Sequence, residues 1–181
     1  MREDSRTKII LDSATKALAE RYEIEAINVN SLALPPLSPE VLAERSAGRV
    51  PNATVDIAKK IAAAERIVIA APFWDMSFPA ILKAFFENMS LYNITFTDNG
   101  ATCTGLCKCK RVLYITTRGM DIPTGDFRDQ GTSYLKALSS LWGLGDIITV
   151  AAWNLDYLPA SKVDDRVASA SELAKEIAKT F

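Results

Sequence analysis

The sequence contains no histidine in its 181 residues. This excludes a Ser–His–Asp or Cys–His nucleophile, an imidazole general base and any His-containing metal site. Excess charge is lacking too: 21 Lys+Arg stand against 22 Asp+Glu, a formal charge of −1 with a pI near 5.6. Neutralising nucleic-acid phosphates or anionic lipid takes a basic patch, so neither nucleic acid nor a membrane is an expected partner. No stretch approaches the ~20 apolar residues needed to span a bilayer. The charged start from Met1 to Arg6 has no apolar region behind it, so it does not read as a signal peptide, and a cytoplasmic protein is expected. Cysteine is scarce: Cys103, Cys107 and Cys109 form a C-x3-C-x-C cluster with no fourth cysteine. An odd, tight cluster is a poor disulfide framework and cannot complete a metal shell, which favours small side chains in a turn before a strand. Neither a GxGxxG fingerprint nor a GxxxxGK[ST] loop occurs, so a dinucleotide fold of that type and a P-loop are unsupported.

What is present is an apolar fraction of 49% with 24% charged residues, that of a globular chain long enough for one domain spanning residues 1–181. Ile10, Ala14, Leu18 and Tyr22 recur every four residues and predict a helix over 5–22, capped by Ser5 or Asp4. Residues 23–30 alternate as a short strand would. Ser38 followed by Pro39 reads as a cap and first helical position, opening a short helix through Arg45. Further helices are predicted over 54–64, 78–91, 133–142 and 161–181, the last with Ser161 and Asp164 as cap and third residue. The continuous apolar runs 66–71, 111–117 and 147–153 read as strands buried on both faces, as in a parallel sheet. Strands alternating with helices predict a doubly wound α/β fold with helices on both faces.

In such a fold ligands bind at the carboxyl ends of the strands, in the loops that enter the next helix. Residues 2–7, 72–79 and 116–121 hold that position. A helix start carrying Ser5, Arg6 and Thr7 suits a terminal phosphate, although taken alone an ordinary Ser cap explains it better. Phe73, Trp74, Met76 and Phe78 place flat rings and a thioether in a loop, suited to an isoalloxazine or to packing on a helix or dimer partner. Arg118 and Gly119 allow close backbone approach and a positive charge against a reduced flavin, or form a plain surface turn.

Together these segments resemble the flavodoxin-like NAD(P)H dehydrogenase (quinone) family, and within it the FMN-dependent NADH-azoreductases. Residues 71–83, APFWDMSFPAILK, are similar to the family's A-P-x-[YW]-[NDS]-[FM]-x-[IVF]-P-x-x-L-K segment. Residues 5–7 resemble its S-x-S/T phosphate loop, 95–106 its T-F…N-G…G-L hairpin, and 115–119 its I-T-[ST]-[RA]-G-G loop, with Met120 in place of the second glycine. The resemblance implies that Ser5, Arg6 and Thr7 hold the FMN phosphate. It implies that Pro72, Phe73, Trp74, Asp75 and Met76 line the ring and ribityl chain. Thr117, Arg118, Gly119 and Met120 would then close over the ring's polar edge. It further implies a homodimer and a ping-pong cycle in which NADH or NADPH reduces FMN and a quinone or azo compound is reduced in turn. A flavodoxin-type electron carrier and a flavin-free binding protein remain open. No run before the first helix reads as the fold's first strand, which should sit between the second and third in the order 2-1-3-4-5; either the natural chain is expected to begin upstream, or the chain is truncated and its FMN binding weakened.

Overall fold

The computed structural model describes residues 5–181. The expectations placed on Met1, Arg2 and Asp4 lie outside the described residues. Three parallel strands, β1 (Arg66–Ala70), β4 (Arg111–Thr117) and β5 (Asp146–Ala152), pair in the order β1-β4-β5. Their register is regular, with Arg66 opposite Arg111 and Arg111 opposite Asp146. Between β1 and β4 lie α4 (Ala80–Met89) and an antiparallel hairpin of β2 (Phe96–Asp98) and β3 (Cys103–Gly105). The other helices are α1 (Arg6–Leu18), α2 (Pro39–Ser46), α3 (Asn52–Ala63), α5 (Gln130–Trp142) and α6 (Ala160–Thr180).

β4 is central, and its alternation sorts two cores. Val112 and Tyr114 are packed with Leu82, Phe86, Leu135 and Trp142, on the side of α3, α4 and α5. Leu113 and Ile115 point the other way, into Ile10, Ala14, Val163, Val167 and Ala174 from α1 and α6. Successive side chains of a strand face opposite sides, so the unbroken apolar run of β4 feeds both layers. Helices therefore cover both faces of a parallel sheet, as the sequence predicts.

Three local expectations are corrected. Residues 23–28 form no strand, and a 3-10 turn occupies Val29–Ser31. A strand needs a ladder partner for its N–H and C=O groups; among the described residues none borders β1 on its outer side. For the same reason β1 is half-buried throughout rather than sealed on both faces. A cavity of about 770 Å³ lies beside it, with Ile24, Ile27, Ile67 and Phe85 among its walls. Thirdly, α6 is preceded by Pro159, which gives no side-chain cap, rather than by a Ser161 cap. The caps Ser5 of α1 and Ser38 of α2 do accept from Lys8 and Val41 N–H groups.

Candidate functional site

The large cavity runs along the outer edge of β1 and is lined by none of the residues 5–7, 72–79 or 116–121. At the carboxyl ends of the strands the three segments singled out from the sequence meet. Thr117, the last residue of β4, carries the junction. Its hydroxyl lies 2.6 Å from that of Thr7 in the first turn of α1. Its carbonyl accepts a 3.0 Å bond from the Phe73 N–H in the loop after β1. One residue thus fixes the phosphate-like helix start, the aromatic loop and the β4 loop against each other.

At the helix start Ser5 is half-buried and accepts from the Lys8 N–H at 3.4 Å, which leaves its own O–H proton available to a ligand. Arg6 is exposed beside it. The first N–H groups of a helix have no intrahelical partner and face outward along the helix dipole. Thr7 is buried at 1% exposure, with its hydroxyl engaged by Thr117. Its side chain ties the site together instead of projecting into it.

In the second segment, Trp74 and Ser77 exchange two 2.9 Å backbone bonds around a tight turn whose central residues have left-handed φ, 48° at Asp75 and 64° at Met76. Such φ values are uncommon outside glycine, and for a long side chain they store strain of order 1–3 kcal/mol that the surroundings must hold in place. The anchor is visible: the Gln130 N–H at the start of α5 donates to the Met76 carbonyl at 3.0 Å. The turn presents Trp74 at 61% and Met76 at 38% exposure, while Phe73 and Phe78 turn inward. Phe78 packs edge-on to Phe86 and Tyr134 in the core. Pro72 is half-buried behind the turn.

The third segment is latched to the loop after β5. Arg118 N–H donates to Ala152, Leu155 N–H to Arg118, Asn154 N–H to Met120 and Asp156 N–H to Gly119. A Cβ on Gly119 would lie 1.9 Å from the carboxylate of exposed Asp156, which would have to swing aside. Met120 is half-buried, its carbonyl taking bonds from both Ile122 and Asn154. The substitution of the expected second glycine is therefore accommodated by a satisfied backbone.

Arg118 requires a correction. Its guanidinium does not reach the surface as a charge awaiting a ligand; the residue is 0% exposed. It forms a 2.8 Å ion pair with buried Asp129 and donates to the Ile122 carbonyl at 3.0 Å. Asp129 carries no signal in the sequence, because the helix is predicted to begin at 133 whereas α5 begins at Gln130, with Asp129 as its cap. Its carboxylate accepts from the Thr132 N–H. Two exposed aromatics near this end, Phe127 at 83% and Tyr157 at 72%, also went unnoticed, since single rings in polar loops carry no periodic signal.

The residues present fit a flavin mononucleotide. The helix start offers N–H groups, a hydroxyl and a cation for a phosphate. The turn offers the exposed Trp74 ring and Met76 thioether as apolar surface for a flat ring. Among the described residues no cluster of His, Cys, Asp and Glu could hold a metal ion. No helix of the described residues is long and apolar enough to cross a membrane.

Comparison with known proteins agrees with this arrangement. A family model described as having a flavodoxin-like fold matches residues 1–177. An FMN-dependent NADH:quinone oxidoreductase of Clostridium acetobutylicum is 39% identical over 128 residues, 68% of this chain and 62% of that protein. One from Clostridium perfringens is 35% identical over 130 residues, 72% of this chain and 65% of its own length. The chain thus spans just under two thirds of these relatives. Among solved structures, an azoreductase from Bacillus anthracis superposes with a TM-score of 0.81 at 16% identity, covering 99% of this chain and 93% of that one. An FMN-dependent NADH-azoreductase from the same species, in complex with FMN, gives 0.80 at 21% identity, covering 98% and 93%. At these identities the structures establish the fold.

Proposed function

We propose that this chain, which belongs to the flavodoxin-like family, is an FMN-dependent oxidoreductase that uses NADH or NADPH to reduce quinones or azo compounds. The observation that carries the reading is the junction at Thr117, which gathers a phosphate-suited helix start, an apolar strained turn and a glycine-bearing loop at one end of the sheet. The names of the two clostridial relatives support the same activity.

FMN, when bound, supplies the hydride-transfer chemistry that side chains without imidazole cannot. The protein's work is binding, orientation and shielding. Ser5 and Arg6, with the N–H groups of the first turn of α1, hold the phosphate, while Thr7 and Thr117 lock that turn to the sheet. Trp74 and Met76 give the ring an apolar face, with Pro72, Phe73 and Asp75 shaping the turn beneath them. The backbone of Gly119 and Met120 meets the ring's polar edge. Arg118 stands behind this surface, paired with Asp129. The exposed apolar side chains at this end, Trp74, Met76 and Phe127, form the kind of surface that a second copy covers, and a homodimer is part of this reading. A strongly acidic docking face, expected of an electron carrier, does not accompany a formal charge of −1.

The test is oxidation of NADH by the purified chain with added FMN and either menadione or an azo dye. Turnover that needs both FMN and acceptor supports the proposal. A flavin-loaded protein that is reduced and reoxidised without turning over either acceptor supports a carrier instead.

A further inference from the structure

We infer that Arg118 is a positioning residue of the proposed flavin site: its guanidinium fixes the Phe73 loop and the 118–122 loop from behind and does not meet the cofactor's charge. The inference rests on the FMN reading for its binding arm and on geometry alone for the rest.

Three contacts converge on this side chain. One terminal nitrogen donates to Asp129 Oδ2 at 2.8 Å and the other to the Ile122 carbonyl at 3.0 Å, so the planar fork holds the start of α5 and the end of the loop at a fixed separation. The guanidinium carbon lies 5.1 Å from the centroid of the Phe73 ring, a stacking distance for a cation on an aromatic face. Asp129 in turn receives the N–H of Gly125 at 3.4 Å and caps α5 through Thr132. The Phe73 loop is further tied to α5 by Gln130 and Met76. Both members of the ion pair are sealed, at 0% and 1% side-chain exposure.

Two physical points follow. A cation paired at 2.8 Å with a buried carboxylate presents a dipole, not a net charge, to anything outside. And the bonds run in two directions from one rigid plane, which Lys cannot reproduce with a single flexible ammonium. Arg118 therefore sets where Phe73 and the backbone of residues 119–122 stand, and these in turn shape the ring site.

The decisive comparison uses wild type, R118K, R118M and the double variant R118M/D129N. Removing one member of a buried pair strands the other and can prevent folding; the double variant removes both charges while asparagine keeps the α5 cap. Thermal melts and far-ultraviolet circular dichroism identify the folded variants. Without any flavin, amide hydrogen exchange over residues 118–129 should accelerate at least about tenfold in folded R118K and R118M/D129N, while the β4 core amides stay protected. Unchanged exchange there overturns the inference whatever the ligand.

With flavin, FMN should bind about tenfold or more weakly to R118K and R118M/D129N alike, yet the ratio of its affinities in the oxidised and reduced forms should match wild type. If R118K restores wild-type affinity while R118M/D129N selectively weakens reduced FMN, Arg118 acts through its charge and the inference fails. Equal FMN affinity in all folded forms overturns it as well. A wild-type chain that binds no FMN refutes the FMN reading and the binding arm with it, leaving the exchange result to judge the positioning role.

Discussion

Replacing Thr7 or Thr117 with valine tests whether the helix start and the β4 end are joined as described. Valine matches threonine in shape but lacks the hydroxyl, so each change removes the 2.6 Å bond and leaves its partner behind. The two orphans differ. In T117V the stranded hydroxyl is that of Thr7, at 1% exposure, which no water can reach. In T7V it is that of half-buried Thr117, which solvent can partly satisfy. An unpartnered buried polar group costs about 1–3 kcal/mol, so T117V belongs near 2–3 and T7V near 1–2 kcal/mol. For a chain of this size each kcal/mol lowers the melting temperature by about 2–4 °C. T117V should thus melt roughly 4–12 °C lower and T7V roughly 2–8 °C lower. The double variant removes both hydroxyls together and should cost no more than T117V alone. Urea titrations of all four proteins close the cycle. A coupling of about 1 kcal/mol or more supports the junction, and additive losses, with coupling under about 0.5 kcal/mol, refute it.

Other outcomes follow from specific contacts. A methyl on Gly105 would sit 1.9 Å from the backbone nitrogen of Gly143, so G105A should lose several kcal/mol or fail to fold, read by urea titration. Exposed Cys103 should be alkylated by iodoacetamide at pH 8 well before Cys107, whose thiol is pushed up to about 11 by burial, as peptide mapping would show. The Arg128 side chain beside Asp126 lowers that carboxyl from its usual 3.8 to about 2. A depressed carboxyl favours the folded form above the unfolded value, and this contribution disappears as pH falls from about 4 towards 2. D126N should accordingly show a shallower acid-unfolding curve than wild type over that window.

The parts of the fold set by period and burial were legible in advance. β4 begins and ends where its apolar run does, at Arg111 and Thr117, because both faces of the central strand are covered. Pairing is not a local property, however. Residues 23–30 have a strand's alternation, yet without a neighbour for their ladder they form no strand, only a 3-10 turn at Val29–Ser31. The helix predicted over 78–91 runs from Ala80 to Met89, since Pro79 supplies its N-terminal turn. At the site the three segments were identifiable because loops at strand ends bind ligands. Their division of labour was not. That Thr7 bonds Thr117, 110 positions away, and that Arg118 turns inward to Asp129 depend on tertiary approach that no spacing rule encodes.

Whether the chain holds FMN at the end of the sheet marked by Thr117 decides the account most directly. Titrating FMN into wild-type protein and into a W74A/M76A variant, with flavin fluorescence as the readout, measures it. The predicted result is saturable, equimolar quenching by wild type and a clearly weaker affinity for the variant, whose exposed ring and thioether are gone from the turn. Absence of saturable binding to the folded wild-type chain, or equal affinity in the variant, would contradict it.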